Sequence, residues 1–234
     1  TAAEWEGITN KDLSADYVLA NNIDASEIAN FSPIGTFTGY FEGAGFTVSG
    51  LTIDRSEESN VGLFGTTSDA TIQNLGLTGV DITGNDNVGG LVGNTSYQLE
   101  RIDNVYVTGT VTGNDRVGGL VGYNYNSAID NSYSSATVSG NNKVGGLVGY
   151  NRNSSSIDNS YATGAVSGAN KVGGLVGYNY DSSSIDNSYA TGSVTGNDDV
   201  GGLVGKNYDS ATITKSYATG DVEGVNYVGG LVGN

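Results

Sequence analysis

The side chains in this sequence that could bind or react are phenols and carboxylates. The 234 residues include 15 Tyr and 25 Asp plus Glu, against 9 Lys plus Arg, and they contain no His, Cys or Met. With neither imidazole nor thiolate, a His-based triad, a thiolate nucleophile, a disulfide framework and a Cys/His zinc site are all excluded. Six tyrosines are spaced to form a stripe. Tyr123, Tyr150 and Tyr178 each follow a recurring Gly-Leu-Val-Gly, and the next unit carries Lys206 at that place. Lysine is almost never fully buried, so the column is expected to face water. Tyr125, Tyr180 and Tyr208 lie two positions further on, with Asn153 expected in the intervening unit. Exposed tyrosines among Asn and Asp can stack on sugars or dock a protein, because a phenol is apolar in body and polar at its tip. The competing reading is a row of tyrosines lying along a solvated turn.

The carboxylates suggest less chemistry. Asp130, Asp158 and Asp186 are copies in one column, whereas glycoside chemistry needs two acids converging in a cleft. Acidic turns at Asp86, Asp115, Asp198-Asp199 and residues 54–58 match neither the nonapeptide of calcium β-rolls nor an EF-hand loop. They read as solubilising charge, and no metal, cofactor or catalytic residue is expected. Arg116, Lys143 and Lys171 share a column, but the cations form no run, and a formal charge of −16 argues against nucleic acid as a partner. A threonine column (Thr108, Thr163, Thr191, Thr219) is broken by Ser135, which argues against a flat ice-binding array. No stretch approaches the ~18–20 apolar residues needed to span a bilayer.

A repeat positions these residues. Gly-Gly-Leu-Val-Gly begins at Gly89, Gly118, Gly145, Gly173, Gly201 and Gly229, and a degenerate copy spans Val61-Gly62-Leu63-Phe64-Gly65. Its leucines fall at 63, 91, 120, 147, 175, 203 and 231, in steps of 27 to 29. Ile-Asp-Asn-Ser-Tyr recurs from Ile129, Ile157 and Ile185, followed by a third apolar piece at Val111, Val138, Val166, Val194 and Val222. Helical repeats fail on the glycines, of which there are 38, since each costs ~1 kcal/mol in a helix interior. Short Val/Ile/Tyr/Thr segments bounded by Gly, Asn, Asp and Ser read as strands. Stacked units then predict an all-β fold, a parallel β-solenoid with three short strands per ~28-residue coil.

Strand alternation puts Ile157, Asn159 and Tyr161 on one side and Asp158 and Ser160 on the other. The first side is expected to face inward, stacking Tyr106, Tyr133, Tyr161, Tyr189 and Tyr217 beside an asparagine ladder (Asn104, Asn131, Asn159, Asn187) that opens at Lys215. In the Val-Gly-Gly-Leu-Val-Gly segment Val144 and Val148 share parity while Leu147 opposes them. A bulge at Gly145-Gly146 that turns Leu147 inward is the expected solution.

The repeated Gly-Gly-Leu-Val-Gly resembles that of the bacterial proteins built from GLUG motifs, over about residues 60–234. The resemblance implies an exported protein, adhesin-like or part of an IgA-cleaving metallopeptidase. Peptidase activity in that group belongs to a separate zinc domain with a His-Glu-x-x-His helix, and this chain has no histidine.

Residues 1–60 lack the repeat and read as an N-terminal cap. A short amphipathic helix is expected from Thr1 and Glu4 at capping-box spacing, with Trp5, Ile8 and Leu13 along one stripe. A strand is expected over Tyr17 to Ile23, and two more between Phe31 and Ile53. Residues 61–234 read as the solenoid, with seven motif copies. The sequence stops mid-unit at Asn234 without a cap, which leaves three readings open: a piece of a longer array, a subunit stacking end to end through its uncapped coil, or an end covered by another chain. The expected function is non-enzymatic, a rigid structural or adhesive module at a bacterial surface or secreted from it. The alternatives are a module binding a host or cell-surface glycan or protein through the tyrosine stripe, and a subunit of an extracellular filament.

Overall fold

The fold is that of a computed structural model describing residues 12–96 and 100–234. Every strand pairing among these residues is parallel and joins one coil to another above or below it. The chain winds about eight turns of a β-solenoid. No helix occurs among the described residues, and none is long and apolar enough to cross a membrane.

One coil shows the plan. Asn142–Gly145 belongs to a six-stranded sheet and Val148–Arg152 to a seven-stranded one. The third side carries Ser156–Asp158, Tyr161–Ala162 and Val166–Ser167, all within a 19-stranded sheet. Hydrogen bonds along the axis tie like residue to like. The Leu120 N–H donates to the Leu147 carbonyl at 2.9 Å, Leu147 to Leu175 at 2.9 Å and Leu175 to Leu203 at 2.8 Å. Register is equally literal, with Val117 opposite Val144, then Val172, then Val200.

Three sides were expected and three exist, but the third is not one strand. Asn159 takes a left-handed backbone (φ 50°), which divides the side into pieces. Asparagine tolerates that conformation better than other non-glycine residues. The same residue overturns the inward assignment made by alternation. Ile157, Ser160 and Ala162 are fully buried, Tyr161 is half-buried and Asn159 is exposed. The tyrosine column therefore lies on the outer surface, its rings stacked at 4.7–5.1 Å and within 6° of parallel. Serine replaces it inside. The Ser160 hydroxyl accepts from the Ser132 N–H at 3.1 Å and donates to the Asp158 carbonyl at 2.8 Å. Ser188 serves Ser160 in the same way, so a backbone N–H that the corner would orphan is satisfied by the next coil.

A buried asparagine ladder does exist, in a different column. Asn124, Asn151 and Asn179 are fully buried, and their amides bond in sequence at 2.8 and 2.9 Å, continuing to Asn207 at 2.8 Å. Each Nδ2 thus finds the next Oδ1, which removes most of the desolvation cost of an amide in the core.

The Gly-Gly-Leu segment is a corner between two sheets rather than a bulge in one. Val144, Leu147 and Val148 are all fully buried, because the chain changes direction at Gly146-Leu147 and parity restarts. Leu147 is inward as expected. Gly146 is required there, since a Cβ would sit 2.2 Å from the Gly174 carbonyl oxygen.

The expected N-terminal helix falls on residues 1–11, outside the described residues, and Leu13 lies in a turn. The single strand expected over Tyr17 to Ile23 is two, Tyr17–Val18 and Ile23–Asp24, and Phe31 to Ile53 supplies four strands rather than two. These strands pair onward into the repeats, Ile34 on Phe64 and Phe41 on Ile72. Their interior is aromatic where later coils use Val and Leu. Phe37 and Phe64 lie 5.1 Å apart, and Phe41 meets Phe64 edge-on at 5.5 Å.

Gly146→Ala should lower stability by roughly 2–3 kcal/mol, because rigid backbone occupies the space a methyl needs. Gly230 holds the same repeat position with nothing within 4 Å, so Gly230→Ala should stay within about 0.5 kcal/mol. Denaturant midpoints of the two variants check this, and equal effects would mean that the corner does not approach its neighbour so closely.

Candidate functional site

The seven-stranded side turns its tyrosines outward. Tyr123, Tyr150 and Tyr178 are half-buried and stacked, with centroids 5.2 and 5.1 Å apart. Tyr125 and Tyr180 are half-buried beside them, and Tyr208 is exposed. Tyr125 meets Tyr123 edge-on at 5.9 Å, and Tyr180 stacks on Tyr208 at 6.2 Å. All six sequence-derived candidates thus share one surface. The residue between Tyr125 and Tyr180 is Arg152, however, and not Asn153. Its guanidinium lies 5.4 Å from the Tyr180 ring centroid, beside Asp181 at 3.5 Å.

The column of Arg116, Lys143 and Lys171 is legible in the sequence, but its place beside the tyrosines is not: the Gly-Leu corner brings it alongside. Arg116, Lys143 and Lys171 sit 5.7, 5.7 and 6.0 Å from the centroids of Tyr123, Tyr150 and Tyr178. Each cation precedes its tyrosine by seven residues, a spacing meaningless until the corner folds the two strands together. In the next coil the pairing changes chemistry while keeping its geometry, and Asp199 and Lys206 form an ion pair at 3.6 Å. Five of the nine Lys and Arg residues therefore gather on one ribbon, although no two are adjacent in sequence. Asp115 holds two of them, Arg116 at 2.8 Å and Lys143 at 2.9 Å.

Stacking decides what the ribbon can offer. Rings about 5 Å apart cover one another's faces, so a ligand meets edges and phenol tips. Aromatic edges carry the positive end of the ring quadrupole, and phenols donate. Burial raises the Tyr150 pKa to about 12 and moves Tyr123 and Tyr178 upward for the same reason, so these donors keep their protons well above neutral pH.

The repeated aspartates behave as a capped column. Arg101 reaches Asp130 at 3.5 Å at one end and Lys215 reaches Asp186 at 3.3 Å at the other. Asp158 in the middle has its pKa raised, first by burial and then by its like-charged neighbours. No cluster of acids among the described residues is arranged to hold a metal ion.

One carboxyl that the sequence did not single out is buried. Glu100, 4% exposed, stands opposite Ser127 in a second serine column (Ser127, Ser155, Ser183), separate from that of Ser132, Ser160 and Ser188. It accepts from the Thr67 hydroxyl at 2.6 Å and the Ser96 N–H at 3.3 Å, and burial raises its pKa to about 8.

Set beside known proteins, residues 113–139, 140–167, 168–195 and 196–223 match the GLUG motif, giving four tandem copies. Residues 6–109 match the M26 IgA1-specific metallo-endopeptidase N-terminal region. Halomucin of Haloquadratum walsbyi is 41% identical over 109 residues, covering 41% of this chain, which spans about 1% of halomucin's length. A crystal structure of a provisionally assigned immunoglobulin A1 protease from Bacteroides ovatus superposes with a TM-score of 0.77 at 23% identity. That match covers 98% of this chain and 82% of the other, and it shows the fold. The chain is a parallel β-solenoid carrying tandem GLUG repeats.

Glu100 gives the fold a pH dependence. Its carboxyl prefers the proton more when folded than when unfolded, so below about pH 4.5 both states are protonated and nothing is lost. Between there and about pH 8 the unfolded state ionises first, and stability falls by on the order of a few kcal/mol. Glu100→Gln should flatten that slope in denaturant titrations across the range, and an unchanged slope would show that Glu100 ionises freely in the fold.

Proposed function

We propose that this chain is a non-catalytic structural module, a rigid spacer that presents other parts of a surface or secreted protein. The observation carrying it is the ladder itself, in which backbone bonds and side-chain columns run coil to coil along one axis. Catalytic β-solenoids build clefts from long insertions, whereas these units stay within 27 to 29 residues. The likeness of residues 6–109 to a peptidase N-terminal region supports the reading. Likeness to halomucin supports a place at the surface or outside the cell.

A second reading, that the module also makes contacts, is favoured by the convergence of six tyrosines and five cations on one ribbon. The same outer surface, continued over more coils, would give longer contact tracks in a longer array.

In a spacer, length should follow coil number. Duplicating residues 140–167 in frame should add one coil, lengthen the particle by roughly 4.8 Å in small-angle scattering and raise its unfolding midpoint. A chain that loses its cooperative transition on insertion would defeat the spacer reading.

A further inference from the structure

Over three of its coils the ribbon's charge is the reverse of the chain's. Across residues 113–181 its outer surface carries Arg116, Lys143, Arg152 and Lys171 against Asp115 and Asp181, four positive charges to two negative. The whole chain is at −16, so the remaining residues hold 9 − 4 = 5 cations and 25 − 2 = 23 acids. The positive stretch is bounded. Asp86 stands one coil before Asp115, and Asp198 and Asp199 stand one coil after Asn170 and Lys171. Between these limits lie three coils, each presenting a cation beside an outward phenol.

We propose that Arg116, Lys143, Arg152 and Lys171, with Tyr150 and Tyr178 between them, take a linear acidic polysaccharide laid along the solenoid axis, one sugar residue to each coil. This rests on the reading of the ribbon as a contact surface and adds to it the class of ligand. Three features point the same way. Charge complementarity selects an anion, since this is a locally positive strip on an acidic protein. The stacked rings withhold their faces, so the usual platform for a neutral sugar is missing, while their edges and hydroxyls favour acceptor-rich ligands. Period selects the polymer. Coils repeat at roughly 4.8 Å, close to the length of one pyranose, so a linear chain laid along the axis sets one sugar residue beside each coil.

The anionic group is a uronate carboxylate or a sulfate ester. Both offer a negative charge on each sugar residue, and the two sources separate by experiment. Calorimetric titration of the full chain uses β-1,4-linked oligomannuronates from disaccharide to hexasaccharide, a sulfated set of equal length, neutral manno-oligosaccharides, polyphosphate and poly-glutamate. Affinity is expected to climb with length to about one sugar residue for each of the three coils, then level off, and to weaken as salt rises. Lys143→Gln with Lys171→Gln should cost about tenfold, while Lys143→Arg with Lys171→Arg retains binding and Lys215→Gln on another side changes nothing. Circular dichroism confirms that each variant is folded. Preference for the uronate or the sulfated set names the charged group. Equal binding of neutral oligosaccharides overturns the acidic class while leaving the contact surface standing. Equal or better binding of polyphosphate or poly-glutamate reduces the strip to unspecific charge and also overturns it. No binding by any probe removes the contact surface itself.

Discussion

Everything in this molecule depends on parallel, in-register hydrogen bonding between successive coils. Because each strand N–H is met by a carbonyl at a fixed offset from the equivalent residue one turn away, every coil must have nearly the same length and place the same residue type at the same point. A Leu147 N–H bonded to Leu175, itself bonded to Leu203, leaves no freedom for a unit to drift. An inserted residue is accommodated at a turn or as a bulge, as between Leu77 and Val80 opposite Val107 to Gly109, and unit lengths stay within 27 to 29. Side-chain ladders are a consequence. Once equivalent residues are stacked at strand spacing, asparagine amides, serine hydroxyls and phenol rings have a like neighbour as their natural partner.

The same constraint explains how polar groups enter a thin core without destabilising it. A solenoid interior is narrow, and its corners interrupt the strands, leaving backbone donors that cannot reach a strand partner. Ser132, Ser160 and Ser188 supply hydroxyls at these points, and Asn124, Asn151 and Asn179 bridge coils on another side. Glu100 is the departure. It stands opposite Ser127, in another column, and brings a buried carboxyl where the next coil has a hydroxyl.

On the outer surface, repetition turns single interactions into tracks. A lone cation beside a tyrosine contributes little at an exposed position. Three in register, bounded by acidic coils, make a strip with a defined length and sign. Asp199 and Lys206 close it with an ordinary ion pair at the positions where Lys171 and Tyr178 stand one coil earlier. The fold therefore permits the surface to be rewritten coil by coil without touching the core.

The solenoid, its parallel strands and the columns were legible in the sequence, because a repeat of 27 to 29 residues with fixed Val, Leu and Gly positions can be satisfied only by stacking. Membership of a column was equally plain, as with Tyr123, Tyr150 and Tyr178. What the tertiary structure alone decided was the direction in which each column points. Alternation holds only while the backbone is extended, and one left-handed residue such as Asn159, or one corner at Gly146-Leu147, resets it. Hence the Tyr161 column is outside, Ser160 is inside, and Leu147 shares the core with both of its flanking valines. The gathering of Lys143 with Tyr150, and of Arg152 between two tyrosine positions, depends on the same corners. Sequence distance carries no record of an angle, so that convergence became visible only in the folded coil.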